Sequence, residues 1–327
     1  MFSFIIRRLL GMIPTLILVS ILTFIIIQLP PGDFFSTLQA LAASSGSGAD
    51  QASMDKLREI YGLDQPVTVQ YFKWISGFVR GDFGYSFEWN RPVSELIGDR
   101  LALTILLSII SLVIMWVIAI PIGVYSATHQ YSWGDNLLTF LSFLGLSVPD
   151  FMLGLVYLSI GIFVFSVSVT GLYSPDMEKA PWSIAKFLDL LNHLIWPALI
   201  LGVSGIAQLV RIMRGSLLEV LGQQYITTAR AKGLKENVVI SKYAVRVAIN
   251  PLISVMGMQL PSLVNGATVL GIVLTLPTTG PMFVRALTSQ DMYLAGSFLM
   301  FLALMLMFGN LLADIALAWA DPRIRLE

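Results

Sequence analysis

The sequence predicts an all-α polytopic membrane protein, with about six transmembrane helices and an extracytoplasmic segment after the first. Three observations carry that prediction. Hydrophobic residues make up 56% of the 327 and charged residues only 12%, where soluble domains carry about 25% charge. The mean hydropathy is +0.79. The apolar residues are also gathered into runs of about 20 or more, the length a helix needs to cross the hydrocarbon core.

The same composition narrows function. A formal net charge of zero argues against a nucleic-acid partner, which normally selects a basic excess. With no cysteine, neither a disulfide framework nor a thiolate metal site is possible. Two histidines, His129 and His193, both at predicted helix ends, argue against a histidine-rich metal site.

Taken in order, the spans fall at about Leu9–Leu29, Leu101–Ala127, Leu137–Phe165, His193–Met213, Ile249–Leu276 and Leu294–Ala320. Pro14, Pro121, Pro149, Pro197 and Pro261 interrupt them. Membrane helices tolerate this because neighbouring helices or cavity water satisfy the freed backbone groups. Arg7 and Arg8 precede the first run, as in a signal peptide. The run is long enough to span, however, and ends in "QLPPGD" without a small-x-small cleavage pattern, so it reads as an uncleaved anchor.

Residues 1–29 are thus a short tail and the first span, 30–100 an extracytoplasmic segment, and 101–327 a five-helix core with a polar loop at about 215–248. In the outer segment, "SSGSGAD" (Ser44–Asp50) reads as a flexible linker. A short helix follows over about Gln51–Tyr61, ended by the "GLDQP" turn. A second, about Val69–Val79, would present Trp74, Phe78 and Val79 on one side. Lys and Arg placement sets orientation. Residues 1–8, 211–248 and the tail after Ala320 hold eleven, against three in the 166–192 and 277–293 loops. Both termini and the 211–248 loop are therefore expected in the cytoplasm, although the 128–136 loop carries no basic residue.

That loop contains "QQYITTARAKGLKENV" (Gln223–Val238). On a helix, Tyr225, Ile226, Ala229 and Gly233 share an arc of about 100°, with Arg230 and Lys232 on a basic rim. Gly233 suits a left-handed helix end. Both a helix lying on anionic lipid and a helix docking into a groove of another protein satisfy the pattern. Arg211 and Arg214, at the end of the fourth span, read as positive-inside anchors, with bracing of this segment as the alternative.

Polar residues within spans are costly and mark function or interhelical bonding. Asp150, Gln259 and Asn265 are the candidates for a translocation pathway. Each also reads as an interhelical hydrogen-bonding residue or a shallow interfacial one. Gln208 lies in the fourth span and Asp314 in the sixth.

"YITTARAKGL" (Tyr225–Leu234) followed by "INPLI" (Ile249–Ile253) resembles the cytoplasmic coupling motif of bacterial ABC-importer permeases, and of the dipeptide/oligopeptide/nickel family in particular. "IIRRLLGMIPTLILVSILTF", "PPGD", "YGLDQPVTVQYFKW", "GDFGYSF" and "NLLADIALAWADPRIR" match the family in order and spacing along nearly the whole chain. The resemblance implies an ABC type I importer permease-like fold in the bacterial inner membrane. It also implies a coupling helix seated in a cleft of a separate ATPase subunit, through Tyr225, Thr228, Ala229, Arg230, Ala231, Lys232, Gly233 and Leu234. Ala229 and Gly233 would allow close approach; Arg230 and Lys232 would make polar contacts or anchor at the membrane surface. Asp314, in a family-typical block, reads as structural.

The implied partners are a second, homologous permease, two ATPase subunits, an extracytoplasmic solute-binding protein and membrane lipid. ATP and Mg would be used by the ATPase subunits and no cofactor held by this chain, which has no G-x-x-x-x-G-K-[ST] phosphate loop. The implied function is import of peptides or another small oligomeric solute, without covalent chemistry.

The family's "VETVF-x-x-PGLG" appears here as "LGIVLTLPTTG" (Leu270–Gly280), with Gly271 in place of Glu and Thr278 in place of Gly, and Leu317 replaces a tyrosine. These departures keep oligosaccharides open as an alternative cargo. An ion-coupled secondary transporter would bring inverted repeats and a buried carboxylate relay, but no repeat is found and Asp150 is the one mid-membrane carboxylate. "GVSG" (Gly202–Gly205) has the form used by intramembrane serine proteases, yet no histidine follows His193 to act as base.

Overall fold

The computed structural model describes residues 2–29, 32, 34–36, 38–39, 56, 58–59 and 62–320. In chain order the elements are α1 (Phe2–Gln28), α2 (Val67–Val79), β1 (Tyr85–Ser86), β2 (Arg91–Pro92), α3 (Val93–Thr128), α4 (Trp133–Ser147), α5 (Asp150–Phe163), α6 (Pro175–Glu178), α7 (Ile184–Leu221) and α8 (Gln224–Ala231). There follow α9 (Glu236–Val238), a π-helical turn (Val239–Ala244), α10 (Val245–Ala248), α11 (Asn250–Val273), α12 (Thr279–Thr288) and α13 (Met292–Ala320). The linker expected at Ser44–Asp50 lies outside the described residues, as does most of the helix expected over Gln51–Tyr61.

α1, α3, α7, α11 and α13 are each long and apolar enough to cross a membrane. Their exposed surfaces include Leu10, Ile17, Leu18 and Ile26 on α1 and Val113 and Val117 on α3, the apolar exposure that lipid rather than water accommodates. The third expected span is different. Leu137–Phe165 is a broken pair, α4 and α5, bent by 98°. The cause is local: Pro149 disfavours helical backbone at the residue before it, and Val148 is extended at φ −99°, ψ 120°.

The chain divides into two compact units. One comprises residues 1–8, 103–277 and 305–327, the other residues 9–102 and 278–304. The second unit therefore joins the outer segment to part of the last apolar run, a grouping that a linear division at residues 29 and 100 does not have.

In the larger unit the core is built along α7, where Leu194, Ala198, Leu201, Leu209, Met213 and Leu217 are buried and meet Leu252, Ala267 and Leu270 of α11. Ser183 caps α7, its hydroxyl accepting the Lys186 N–H at 3.2 Å. Ser132 does the same for α4, accepting the Asp135 N–H at 3.1 Å. These short oxygen side chains satisfy amides that have no partner within the helix. α11 and α13 meet backbone to backbone: a methyl group on Gly257 would lie 2.6 Å from the Asn310 Cα, and one on Gly309 2.7 Å from the Gly257 carbonyl oxygen. Only small residues permit that approach. Nearby, Arg8 and Asp314 pair at 3.3 Å.

In the smaller unit Phe24, Trp74, Met292 and Met300 are buried together, with Tyr71 edge-on to Phe24 at 5.4 Å between ring centroids. On α2, Trp74 faces this cluster with Phe78 beside it. Val79, expected on the same side, is 79% exposed. The five residues from Trp74 to Val79 turn it about 140° away, too far to share the stripe. The hairpin pairs Tyr85 with Pro92 and Ser86 with Arg91. Its anchor is the buried Asp291 carboxylate, which accepts the Ser86 hydroxyl at 2.5 Å and the Glu88 and Leu294 N–H groups at 3.2 Å. Burial pushes the Asp291 carboxyl above its ordinary range despite those hydrogen bonds.

Candidate functional site

Two sites, both within the larger unit, draw on the residues singled out in the sequence. The first is the polar loop. α8 spans Gln224–Ala231 and ends where Gly233 takes φ +77°. The Gly233 N–H bonds to the Arg230 carbonyl at 2.9 Å and the Leu234 N–H to the Ala229 carbonyl at 3.4 Å. This paired closure requires a left-handed residue, so glycine is the natural stop. Arg230 then holds Glu236, at the start of α9, at 2.7 Å. The bond lowers the Glu236 carboxyl below its ordinary range and raises the Arg230 guanidinium.

The arc predicted from the sequence is split by the fold. Ile226 is fully buried and Ala229 is 5% exposed, both within the core that contains Leu217, Val239, Ala244, Ala248 and Leu252. Tyr225, Thr228, Arg230, Ala231, Lys232, Gly233 and Leu234 are exposed. The apolar residues expected to offer Ala229 to a partner instead seat the helix on its own chain. What faces outward is mostly small, polar and basic, with Tyr225 and Leu234 as its large apolar residues. Beneath α8 lies the π-helical turn, a rare element that in other proteins often marks a functional position. It packs against α8 and α7 and leads through α10 into α11. The loop is thus a built platform, continuous with two membrane-length helices.

Arg214 has a partner that sequence reasoning missed. Its guanidinium donates two bonds to the Asp135 carboxylate, from Nε at 3.2 Å and Nη2 at 3.0 Å. Asp135 is 2% exposed and also accepts the Tyr131 N–H at 3.0 Å. Arg214 therefore ties α7 to the start of α4. The available signal was the unpaired acid in the first turn of a helix whose loop carries no basic residue.

The second site is a cavity of about 130 Å³, lined by Met115, Leu146, Asp150, Leu201, Ser204, Gly205, Gln208, Gln259, Ser262 and Leu263. It brings Asp150 and Gln259 together. Asp150 reaches it because the α4–α5 bend places the first residue of α5 there, with the Ser204 side chain alongside its carboxylate. Gln259 is 8% exposed, and its Oε1 accepts the Trp116 indole N–H at 3.4 Å. Asn265 is exposed and not in the lining, since six residues along α11 turn it about 120° from Gln259. Ser204 of the "GVSG" run faces this cavity, whose lining holds no histidine.

Comparison with known proteins places this geometry. Residues 119–326 match the family described as binding-protein-dependent transport system inner membrane component, and residues 1–108 match the N-terminal family of the same transport membrane components. The oligopeptide transport system permease protein AppB of Bacillus subtilis (strain 168) is 39% identical over 325 residues, 99% of each chain. The glutathione transport system permease protein GsiC of Escherichia coli O1:K1 / APEC is 33% identical over 325 residues, also 99% of each chain. With both the platform loop and the membrane helices inside the matched region, the chain belongs to the binding-protein-dependent transport system inner membrane component family, as a multi-pass permease subunit of an ABC importer.

Proposed function

We propose that this permease imports peptides, and that it receives the force of ATP hydrolysis at the outward face of α8. That face comprises Tyr225, Thr228, Arg230, Ala231, Lys232, Gly233 and Leu234. One observation carries the coupling reading: Ile226 and Ala229, the middle of the apolar arc, are turned into the chain's own core, which leaves only Tyr225 and Leu234 as large apolar residues on the outward face. A lipid-surface helix needs a continuous apolar side outward, so the mixed face that remains, with Tyr225 and Leu234 at its two ends and polar, small and basic residues between them, suits a protein cleft. Peptide cargo is supported by the names of the relatives, which are oligopeptide and glutathione permeases.

In this reading the permease pairs with a second, homologous one, with two ATPase subunits that use ATP and Mg, and with an extracytoplasmic solute-binding protein, in the lipid of the inner membrane. Its termini and the 211–248 loop face the cytoplasm, in keeping with the Lys and Arg bias. Closure of the ATPases moves α8, and the π-helical turn passes that motion to α7 and α11, which border the cavity holding Asp150 and Gln259. The rearrangement is a rigid-body switch between two packings.

The test is reconstitution of the complete transporter in liposomes with its loaded binding protein. Ala231→Arg adds bulk to an exposed position. Gly233→Asp strains the left-handed stop by about 1 kcal/mol and adds an acid to a basic face. Each is expected to lower ATP-driven peptide uptake by about tenfold or more, with the permease present in normal amount. Wild-type uptake by both variants would refute the coupling face. Import of oligosaccharides and not peptides would refute the cargo.

A further inference from the structure

We infer that the cavity between α3, the α4–α5 bend, α7 and α11 holds the amino terminus of the translocating peptide: Asp150 accepts its ammonium group and Gln259 Nε2 donates to the first peptide carbonyl. This inference rests on the peptide-import reading and specifies how the cargo is recognised inside the membrane.

The first observation is an unused donor. Gln259 is nine-tenths buried, and its Nε2 is buried without a hydrogen-bond partner. Its orientation is fixed by chemistry, because the Trp116 indole can only donate and so must face the amide oxygen. The amide N–H groups are thereby left without a partner, on a residue that belongs to the cavity lining. Native proteins rarely leave such a group unsatisfied, and one that is left open marks a place for an acceptor.

The second is charge. The lining holds one acid, Asp150, and no base. Asp150 has no ion-pair partner among the described residues. It is the first residue of α5, where the partial positive charge of a helix start favours a carboxylate. Such a lining attracts a cation and repels a carboxyl terminus.

The third is size and access. About 130 Å³ admits a chain end and not a whole oligopeptide, and Gln208 and Ser262, exposed residues of the lining, leave it open. A permease passing many sequences has to hold what all peptides share. An ammonium followed by an amide carbonyl is that shared element, and it matches an acceptor and a donor lining one cavity.

The experiment uses the complete reconstituted transporter and binding protein preloaded with radiolabelled trialanine or N-acetyl-trialanine, so that selection by the binding protein is bypassed. The readout is the ratio of single-turnover uptake of the two peptides, from which the amount of assembled transporter cancels. Wild type is expected to favour trialanine by about tenfold or more, the discrimination typical of a charged hydrogen-bond partner. Asp150→Asn should bring the ratio close to one. Gln259→Met should slow both peptides while retaining the preference. A second route is Gly266→Ala, whose methyl would lie 3.1 Å from the Leu201 Cδ2 and 3.3 Å from the Asp150 Oδ2; crowding these two lining residues without removing the acid should lower the ratio.

Equal uptake of the two peptides by wild type, or an unchanged ratio in both Asp150→Asn and Gly266→Ala, would overturn the inference while leaving peptide import standing. A sodium dependence that Asp150→Asn abolishes, with the two peptides equal in wild type, would make the cavity an inorganic cation site. No ATP-driven uptake of either peptide by wild type would instead refute the import reading itself.

Discussion

Ile226→Ala tests the platform on which coupling depends. Ile226 is fully buried, and on α8 only Ala229 joins it in the core. The substitution removes three carbon atoms from a packed site, and such changes cost about 2–5 kcal/mol. α8 has eight residues and few other anchors, so this loss should appear as local detachment rather than global unfolding. At about 3 kcal/mol the opening equilibrium rises roughly 150-fold, since 1.4 kcal/mol is a factor of ten. Ile226→Val, at about 0.5–1.5 kcal/mol, should raise it only several-fold. The assay is hydrogen exchange read by mass spectrometry on the permease in nanodiscs, comparing the segment 223–234 with the interior of α11. Exchange should accelerate in the first in the order wild type, Val, Ala, and stay constant in the second. Unchanged exchange at 223–234 in the alanine variant would mean that α8 is not seated through Ile226, and the proposed force path would fall with it.

Two further outcomes follow from ionic contacts. Replacing Arg214 and Asp135 with alanine singly and together should give a coupling energy of about 0.5–3 kcal/mol in detergent unfolding, the range for residues in one hydrogen-bond network; additive effects would show that the bidentate pair contributes nothing to the α4–α7 junction. Asp291 sets a pH dependence in the smaller unit. Burial raises its folded-state pKa above the unfolded value, so the native state binds that proton more tightly. The stabilisation is complete below the unfolded pKa and is lost as pH rises through the raised one. Thermal midpoints should therefore decline across that window in wild type and flatten in Asp291→Asn, and an equal slope in both would reject the assignment.

Local chemistry was enough to read much of this chain. Apolar runs of membrane length required helices, because lipid offers no hydrogen-bonding partner to the backbone. Gly233 marked a helix stop because its left-handed conformation closes the last turn, and the Gln223–Val238 stretch stood out as polar among apolar neighbours. The prolines were equally visible. Which proline would break its span was not: Pro121, Pro197 and Pro261 sit inside continuous helices, whereas Pro149 divides α4 from α5.

What only tertiary structure decided were the pairings between residues distant in the chain. The 98° bend put Asp150 into a cavity with Gln259, more than a hundred positions away. The docking of α8 on the π-helical turn consumed Ile226 and Ala229, so that the face left for a partner is a mostly polar one with Tyr225 and Leu234 at its ends. Arg214 found Asp135 across 79 positions. Periodicity reports which residues share one side of a helix, because that is fixed by 100° per residue. It cannot report what covers that side, because burial is a property of the neighbour that packs there.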